Sequence, residues 1–364
     1  MKRDFFIGYF LLIFIMTSTC FVTYSIIDNK VDSNNDNNEA IDNDEAIIEN
    51  VERNQANVIV NYDDNYELKK YYNENNLDKK LVDFSNCLHT YISIDNLSQD
   101  IKDNINELNE YYNNDDRNFA FYYLDLNTSF SVSYNAEQPI FGASTMKAPF
   151  IIYVYKQASL GNIDLDEKLQ YTANFYSTGS GVLQGKEIGG EYSVRELCYY
   201  AINDSDNIAY RMLSSRFGIG NARAFWQENG VNSIYHNDVI FSEITAKDAG
   251  TIMKYLYDFS LEDETYGKEL MNYFTNALYF FIPKNGLTMA HKSGWAGYAI
   301  HDLAIKFDDN PYVIVVLSKR GEIEYDSLFK YTSDKISEIH KSYWDSNINQ
   351  CRSEEHTSDS SHAR

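Results

Sequence analysis

The chain has 364 residues, 44% of them hydrophobic, and a formal net charge of −23. That length and apolar content are enough to bury the core of one large domain or two modest ones. The acidic balance, with no basic patch, argues against a nucleic-acid partner, whose phosphates demand a basic surface.

Residues 5–27 (FFIGYFLLIFIMTSTCFVTYSII) carry no charge and exceed the roughly 20 residues a helix needs to cross the hydrocarbon layer. Lys2 and Arg3 precede them and acidic residues follow, so the positive-inside tendency places the bulk of the chain outside the membrane. An uncleaved anchor is the expectation, with a cleaved signal peptide or lipid attachment at Cys20 as the alternatives. Residues 28–60 read as a disordered acidic tether, because the stretch from Asp28 to Arg53 holds nine acidic residues, seven Asn and no aromatic. Residues 61–96 read as a linker or short helix without a functional assignment.

The domain is expected over residues 97–347. Leu97, Ile101, Ile105 and Leu108 recur at helical spacing. Phe119, Phe121 and Tyr123, then Phe130, Val132 and Tyr134, alternate as a hairpin. Residues 148–155, 194–217, 222–228 and 246–259 have helical periodicity, broken by glycine-rich turns at 179–190 and 218–220. Residues 287–292, 298–307 and 312–318 are β-branched or apolar strand runs, and residues 328–343 close with an amphipathic helix. The pattern predicts an α+β fold: N- and C-terminal segments form an antiparallel sheet flanked by helices, with an all-helical middle subdomain. Residues 348–364 read as a disordered tail whose RSEEHTSDSSHAR resembles a translated sequencing adapter, which suggests an assembly artefact, and no site role is expected of His356 or His362. Among Cys87, Cys198 and Cys351 one pair can bridge with one thiol left over, or all three remain free.

Three short motifs carry chemistry. In Phe141-Gly142-Ala143-Ser144-Thr145-Met146-Lys147, a serine and a lysine three apart share one face of an otherwise apolar helix. A buried lysine requires a reason, and one held in a low-dielectric site can lose its proton and activate a serine hydroxyl. Ser205-Asp206-Asn207 interrupts a helical stretch, as a helix cap or a site would. Lys292-Ser293-Gly294-Trp295 follows a strand, where a cation, a hydroxyl and a glycine suit a carboxylate.

Taken together, these motifs resemble the S-x-x-K, S-D-N and K-T-G signature of the class A β-lactamase and penicillin-binding serine hydrolase superfamily, with Ser293 in place of the threonine. Tyr134-Asn135-Ala136-Glu137, Gly179-Ser180-Gly181-Val182-Leu183 and Tyr192-Ser193-Val194-Arg195-Glu196-Leu197 extend the likeness over residues 97–344. The resemblance implies a serine hydrolase acting on C–N amide bonds, with β-lactamase activity as the family-level expectation. It implies acylation of Ser144, Lys147 as proton acceptor, Ser205 as proton relay, Asn207 on the substrate amide, and Lys292 with Ser293 on the substrate carboxylate. Gly294 allows close approach, and the N–H groups of Ser144 and Trp295 form the oxyanion hole. No cofactor or metal is implied. The expected partners are a small-molecule β-lactam or a cell-wall peptide and, through the N-terminal segment, the membrane; a monomer outside the cytoplasm is expected.

One loop departs from the class A pattern. Only 14 residues (VNSIYHNDVIFSEI) separate Gly230 from Thr245, too few for the loop that carries the deacylating glutamate, and Asp238 and Glu243 are its only carboxylates. The rival reading is therefore a penicillin-binding or D-alanyl amidase-type enzyme with slow deacylation. A non-catalytic binding module is a third, which the intact Ser144, Lys147 and Ser205 disfavour. His89, His236, His291, His301 and His340 show no paired metal-ligand spacing.

Overall fold

Successive side chains of a strand point to opposite faces, and here both faces are apolar. In β2 (Phe119–Asp125), Phe119, Phe121 and Tyr123 enter one core while Ala120 and Leu124 enter another. In β10 (Tyr312–Ser318), Tyr312, Ile314 and Val316 alternate in the same way with Val313, Val315 and Leu317. The sheet is therefore the middle layer between two sets of helices. The computed structural model describes residues 59–61, 97–112, 118–319 and 325–361.

The sheet has six antiparallel strands in the order β1-β3-β2-β10-β9-β8, where β1 is Ile59–Asn61, β3 is Ser131–Tyr134, β8 is Thr288–Ala296 and β9 is Ala299–Phe307. One face is covered by α1 (Gln99–Tyr112) and the final helix α8 (Tyr325–Ser361), through Ile101, Leu108, Phe329 and Ile339. The other face carries the helical half. Its centre is α2 (Lys147–Ser159), whose Phe150, Ile151, Ile152 and Val154 are all buried, as expected of a helix that is apolar all round. Around it lie α3 (Val194–Asn203), α4 (Asn207–Phe217), α5 (Ile219–Glu228), α6 (Ala246–Glu262) and α7 (Tyr266–Thr275). Two small two-stranded antiparallel sheets complete the described residues: β4 (Ile140–Phe141) with β7 (Glu243–Ile244), and β5 (Lys168–Gln170) with β6 (Glu191–Ser193). The α+β architecture is the one expected.

Two boundaries and one helix differ from the expected pattern. The tether was extended to residue 60, yet Ile59–Asn61 pairs with Ser131–Ser133 as an edge strand; three residues are too few to show a period. The tail was expected to be unstructured from 348, yet α8 continues to Ser361; neither glycine nor proline occurs after Gly321, so nothing interrupts the helical backbone. The helix α7 was not anticipated. The membrane-length segment 5–27, the rest of the tether, the linker 62–96 and Cys87 lie outside the described residues, among which no helix is long and apolar enough to cross a membrane. Cys198 is a free, buried thiol.

Asp125 fastens α8 to the sheet. Its Oδ1 accepts from the N–H groups of Asn127 and Thr128 and from Thr128 Oγ1, and its Oδ2 accepts from Trp344 Nε1 at 2.7 Å. Asp125→Ala should cost about 2–4 kcal/mol in urea unfolding, since it strands several buried donors at once; an unchanged midpoint would contradict this.

Candidate active site

The site forms where the start of α2, the turn between α3 and α4, and the outer strand β8 meet. A short 3₁₀ turn, Ala143–Met146, precedes Lys147, and Ala143 has φ +47°, an uncommon conformation for a residue with a Cβ. Ser205, at the α3–α4 turn, has φ +54°. Each such residue costs on the order of 1–3 kcal/mol and persists only where its surroundings enforce it. At Ser205 the enforcement is visible. Asp206 caps α4 by accepting from Ile208 N and Ala209 N, and its second oxygen accepts from Leu183 N at 2.7 Å. Ser180 Oγ donates to Ser205 O at 2.9 Å. Gly181, at φ +120°, passes so close that a Cβ there would lie 2.3 Å from the Asp206 carboxyl.

Lys147 is buried, and its Nζ lies 2.8 Å from Ser144 Oγ, 2.8 Å from Asn207 Oδ1 and 3.3 Å from Ser205 Oγ. All three neighbours are neutral oxygens. Burial pushes the Lys147 amine well below the usual lysine range, the nearby Lys292 pushes it further, and Asp206 only partly opposes them. Lys292 is also buried, with Nζ 3.0 Å from Ser205 Oγ and 2.7 Å from Ser293 O; burial pushes it down to about 7, against a pull from Asp302. The Ser205 hydroxyl thus stands between two amines.

Gly294 brings β8 against the 3₁₀ turn, where a Cβ would lie 2.8 Å from Thr145 N and 3.1 Å from Gly142 O. The N–H groups of Ser144 and Trp295 belong to the residues flanking this contact. His301 braces the same place: its Nδ1 accepts from Ser318 N at 3.1 Å, so its Nε2–H donates to Phe141 O at 2.7 Å. Burial pushes His301 down to about 4, which keeps the ring neutral.

Of the residues singled out from the sequence, Ser144, Lys147, Ser205, Asn207 and Lys292 are joined in one chain of hydrogen bonds, with Gly294 beside them. The Ser293 hydroxyl is not part of it, although the Ser293 carbonyl accepts from Lys292. One position along the strand from Lys292, Ser293 faces the other side and donates its hydroxyl to Tyr279 O at 2.6 Å. Trp295 is 59% exposed at the rim. Neither loop carboxylate joins Lys147: Asp238 pairs with Arg223 at 2.8 Å, and Glu243 is an exposed residue of β7. Instead the Phe241 ring lies over Lys147, 5.5 Å from Nζ to the ring centroid. Two tyrosines absent from the sequence reading, Tyr210 and Tyr235, both donate hydroxyl hydrogen bonds to Met146 O. No periodicity marks them, because their partner is a backbone carbonyl distant in sequence.

A family model described as "Beta-lactamase enzyme family" matches residues 98–344, more than half of the chain. The structure is similar to that of PBP-A, at 20% identity and TM-score 0.59, covering 68% of this chain and 97% of that one. A point variant of PBP-A, solved as an acyl-enzyme complex with penicillin G, matches at 20% identity and TM-score 0.59, over 70% and 98% of the two chains. A beta-lactamase from Chitinophaga pinensis matches at 17% identity and TM-score 0.57, over 67% and 98%. These likenesses show the fold. No curated protein sequence matches.

Lys292 should make the fold less stable than it need be at neutral pH. Its proton is lost at about 7 when folded and near 10.4 when unfolded, so between these values the unfolded chain binds more protons and stability rises with pH. Lys292→Met is expected to raise stability at pH 7 by about 1–3 kcal/mol, with the gain shrinking toward pH 10. Urea titrations at both pH values check the sign; a variant less stable at pH 7 would refute it.

Proposed function

The chain belongs to the beta-lactamase enzyme family, and from that premise we propose that it is a serine hydrolase acting through an acyl-enzyme on C–N amide bonds, opening β-lactams at Ser144 and releasing the acyl group slowly. The observation that carries this reading is the buried Lys147 amine, hydrogen-bonded to Ser144 and joined through Ser205 to Lys292 without an intervening carboxylate. An unprotonated amine there accepts the Ser144 hydroxyl proton as Oγ attacks the carbonyl carbon. The negative charge then develops on the carbonyl oxygen. Ser144 N–H and Trp295 N–H are the proposed donors to it, each of a type worth roughly 3–4 kcal/mol. Ser205 Oγ gives its proton to the departing nitrogen and takes one back from the Lys147 ammonium, so the amine is neutral again after the acyl bond has formed. Lys292, in its protonated form, attracts the substrate carboxylate, and Asn207 holds the substrate amide.

Deacylation needs a base for water; neither carboxylate of residues 231–244 reaches Lys147, and the Phe241 ring lies over its amine instead. This supports slow release and a penicillin-binding role, with a D-alanyl cell-wall peptide as the natural amide. The resemblance to an acyl-enzyme structure containing penicillin G supports β-lactams as reagents. Members of this family typically act outside the cytoplasm, and residues 5–27 are the proposed tether to the membrane; a monomer suffices, since the cluster is complete within one chain.

Intact-mass spectrometry of the protein with benzylpenicillin over time tests the reading. A covalent adduct that persists for hours and is abolished by Ser144→Ala is expected, and no adduct would sink the proposal. Phe241→Glu should shorten the adduct lifetime by about tenfold or more by placing a carboxylate near the ester; an unchanged lifetime would remove Phe241 from the explanation. Acylation by benzylpenicillin at low concentration should fall as pH rises through about 7, where Lys292 loses its charge.

A further inference from the structure

The segment between α7 and β8, residues 276–287, forms a strap fastened to both halves of the site. Leu278 N donates to Asn203 O at 3.1 Å, two residues before Ser205. Tyr279 O receives the Ser293 hydroxyl. Phe281 N and Ile282 N donate to Asp302 Oδ2 at 2.8 and 3.0 Å. Ala277 O lies 3.2 Å from His291 Nε2. His291 and Asp302 therefore hold the strap at either end. Both are fully buried, and they face each other with Nδ1 3.6 Å from Oδ1. Neither of those two atoms has a hydrogen-bond partner.

The chemistry of the ring limits the solutions. If the single proton of a neutral imidazole is on Nε2, the Nδ1 lone pair faces a carboxylate oxygen. If it is on Nδ1, the Nε2 lone pair faces the Ala277 carbonyl oxygen. Each arrangement sets two buried acceptors against each other, an unfavourable state. One extra proton removes the conflict, either on the ring beside a carboxylate or on Asp302 as an O–H donating to Nδ1.

We propose that His291 and Asp302 share one proton between Nδ1 and Oδ1, forming a clamp of zero net charge that positions the strap and, through its bond to Ser293, the strand that carries Lys292 toward the substrate carboxylate. This rests on the serine acyl-transfer reading and deepens it. The clamp explains why Ser293 turns away from the cluster: its hydroxyl fastens the strap. The groups around the clamp are Lys292 on β8, Lys306 on β9, both electrostatically coupled to Asp302, and the Phe280 ring of the strap, which meets His291 edge-on at 5.8 Å. Among the described residues Asp302 is the one acid within ion-pairing distance of His291.

Asp302→Asn is the informative variant, because its Nδ2–H can donate to Nδ1 while its oxygen keeps Phe281 and Ile282, reproducing the protonated clamp without a proton. Asp302→Ala cannot. Ser144 modification at low reagent concentration would be compared between acylation by benzylpenicillin, which carries a carboxylate, and phosphonylation by a fluorophosphonate, which loses fluoride and carries none. Asp302→Asn should stay within about threefold of the parent for both reagents, while Asp302→Ala should lose about tenfold or more with benzylpenicillin and little with the fluorophosphonate. Proton–nitrogen spectra of the full chain with labelled histidine, assigned by loss of a signal in His291→Gln, should show His291 Nδ1 protonated or accepting a hydrogen bond. A bare Nδ1 lone pair in the parent overturns the shared proton. Benzylpenicillin acylation unchanged in Asp302→Ala, or lost equally in Asp302→Asn, overturns the positioning role. Should Asp302→Ala fail to fold, the spectrum and Asp302→Asn still decide. The spectrum needs no acylation, so a parent that neither reagent labels refutes the serine reading alone.

Discussion

An amine removed from water without a carboxylate beside it is the constraint around which this molecule is arranged. Lys147 is buried by the apolar faces of α2 and by Phe241, and its polar neighbours are oxygens of Ser144, Ser205 and Asn207. Burial favours the neutral form of a lysine, and a second lysine nearby favours it further. A paired carboxylate would restore the charge and remove the proposed proton acceptor. The left-handed turn at Ser205, the Asp206 cap and the close pass of Gly181 follow from the need to bring a hydroxyl between two amines while keeping Asp206 occupied with backbone N–H groups. Strain and buried charge at one site are tolerated because two cores, one on each face of the sheet, hold the surrounding elements rigidly.

The strand β8 transmits that rigidity. It is the outermost strand, so its far edge borders the helical half rather than another strand. Alternation along it divides the labour: Lys292 faces Ser205 and Gly294 faces the 3₁₀ turn Ala143–Met146, while His291 and Ser293 face the strap. The loop of residues 231–244 closes the other side, through the β4–β7 pair and the Tyr210 and Tyr235 hydroxyls on Met146 O. It covers the amine with a ring rather than reaching it with an acid.

The fold was largely legible because its signals are local. Alternation in residues 130–134, the strand-like apolar runs at 119–124 and 312–317 and helical spacing in residues 101–108 each reflect the faces an element must bury. The cluster around Lys147 was legible for a related reason: a lysine at the start of an apolar helix needs polar partners, and Ser144, Ser205 and Asn207 supply them. What escaped notice depends on contacts distant in sequence. The strap, the Tyr210 and Tyr235 braces and the His291–Asp302 pair gain meaning only when β8 and β9 place them together, and the three-residue β1 exists only because β3 offers it an edge. Ser293 shows the limit of motif reasoning: its place in the motif suggested a carboxylate ligand, whereas its neighbour across the strap is Tyr279 O. The continuation of α8 to Ser361 shows that an absence of apolar periodicity does not prevent a helix when no residue breaks it.

The most direct test is the protonation state of Lys147 itself, followed by nuclear magnetic resonance of its ε-methylene carbon as pH is raised, with the signal assigned by its loss in Lys147→Met. The account requires this amine to titrate well below the ordinary lysine value of about 10.4. A midpoint at that ordinary value would mean that Lys147 is charged wherever the protein works, and the proposed base would not exist.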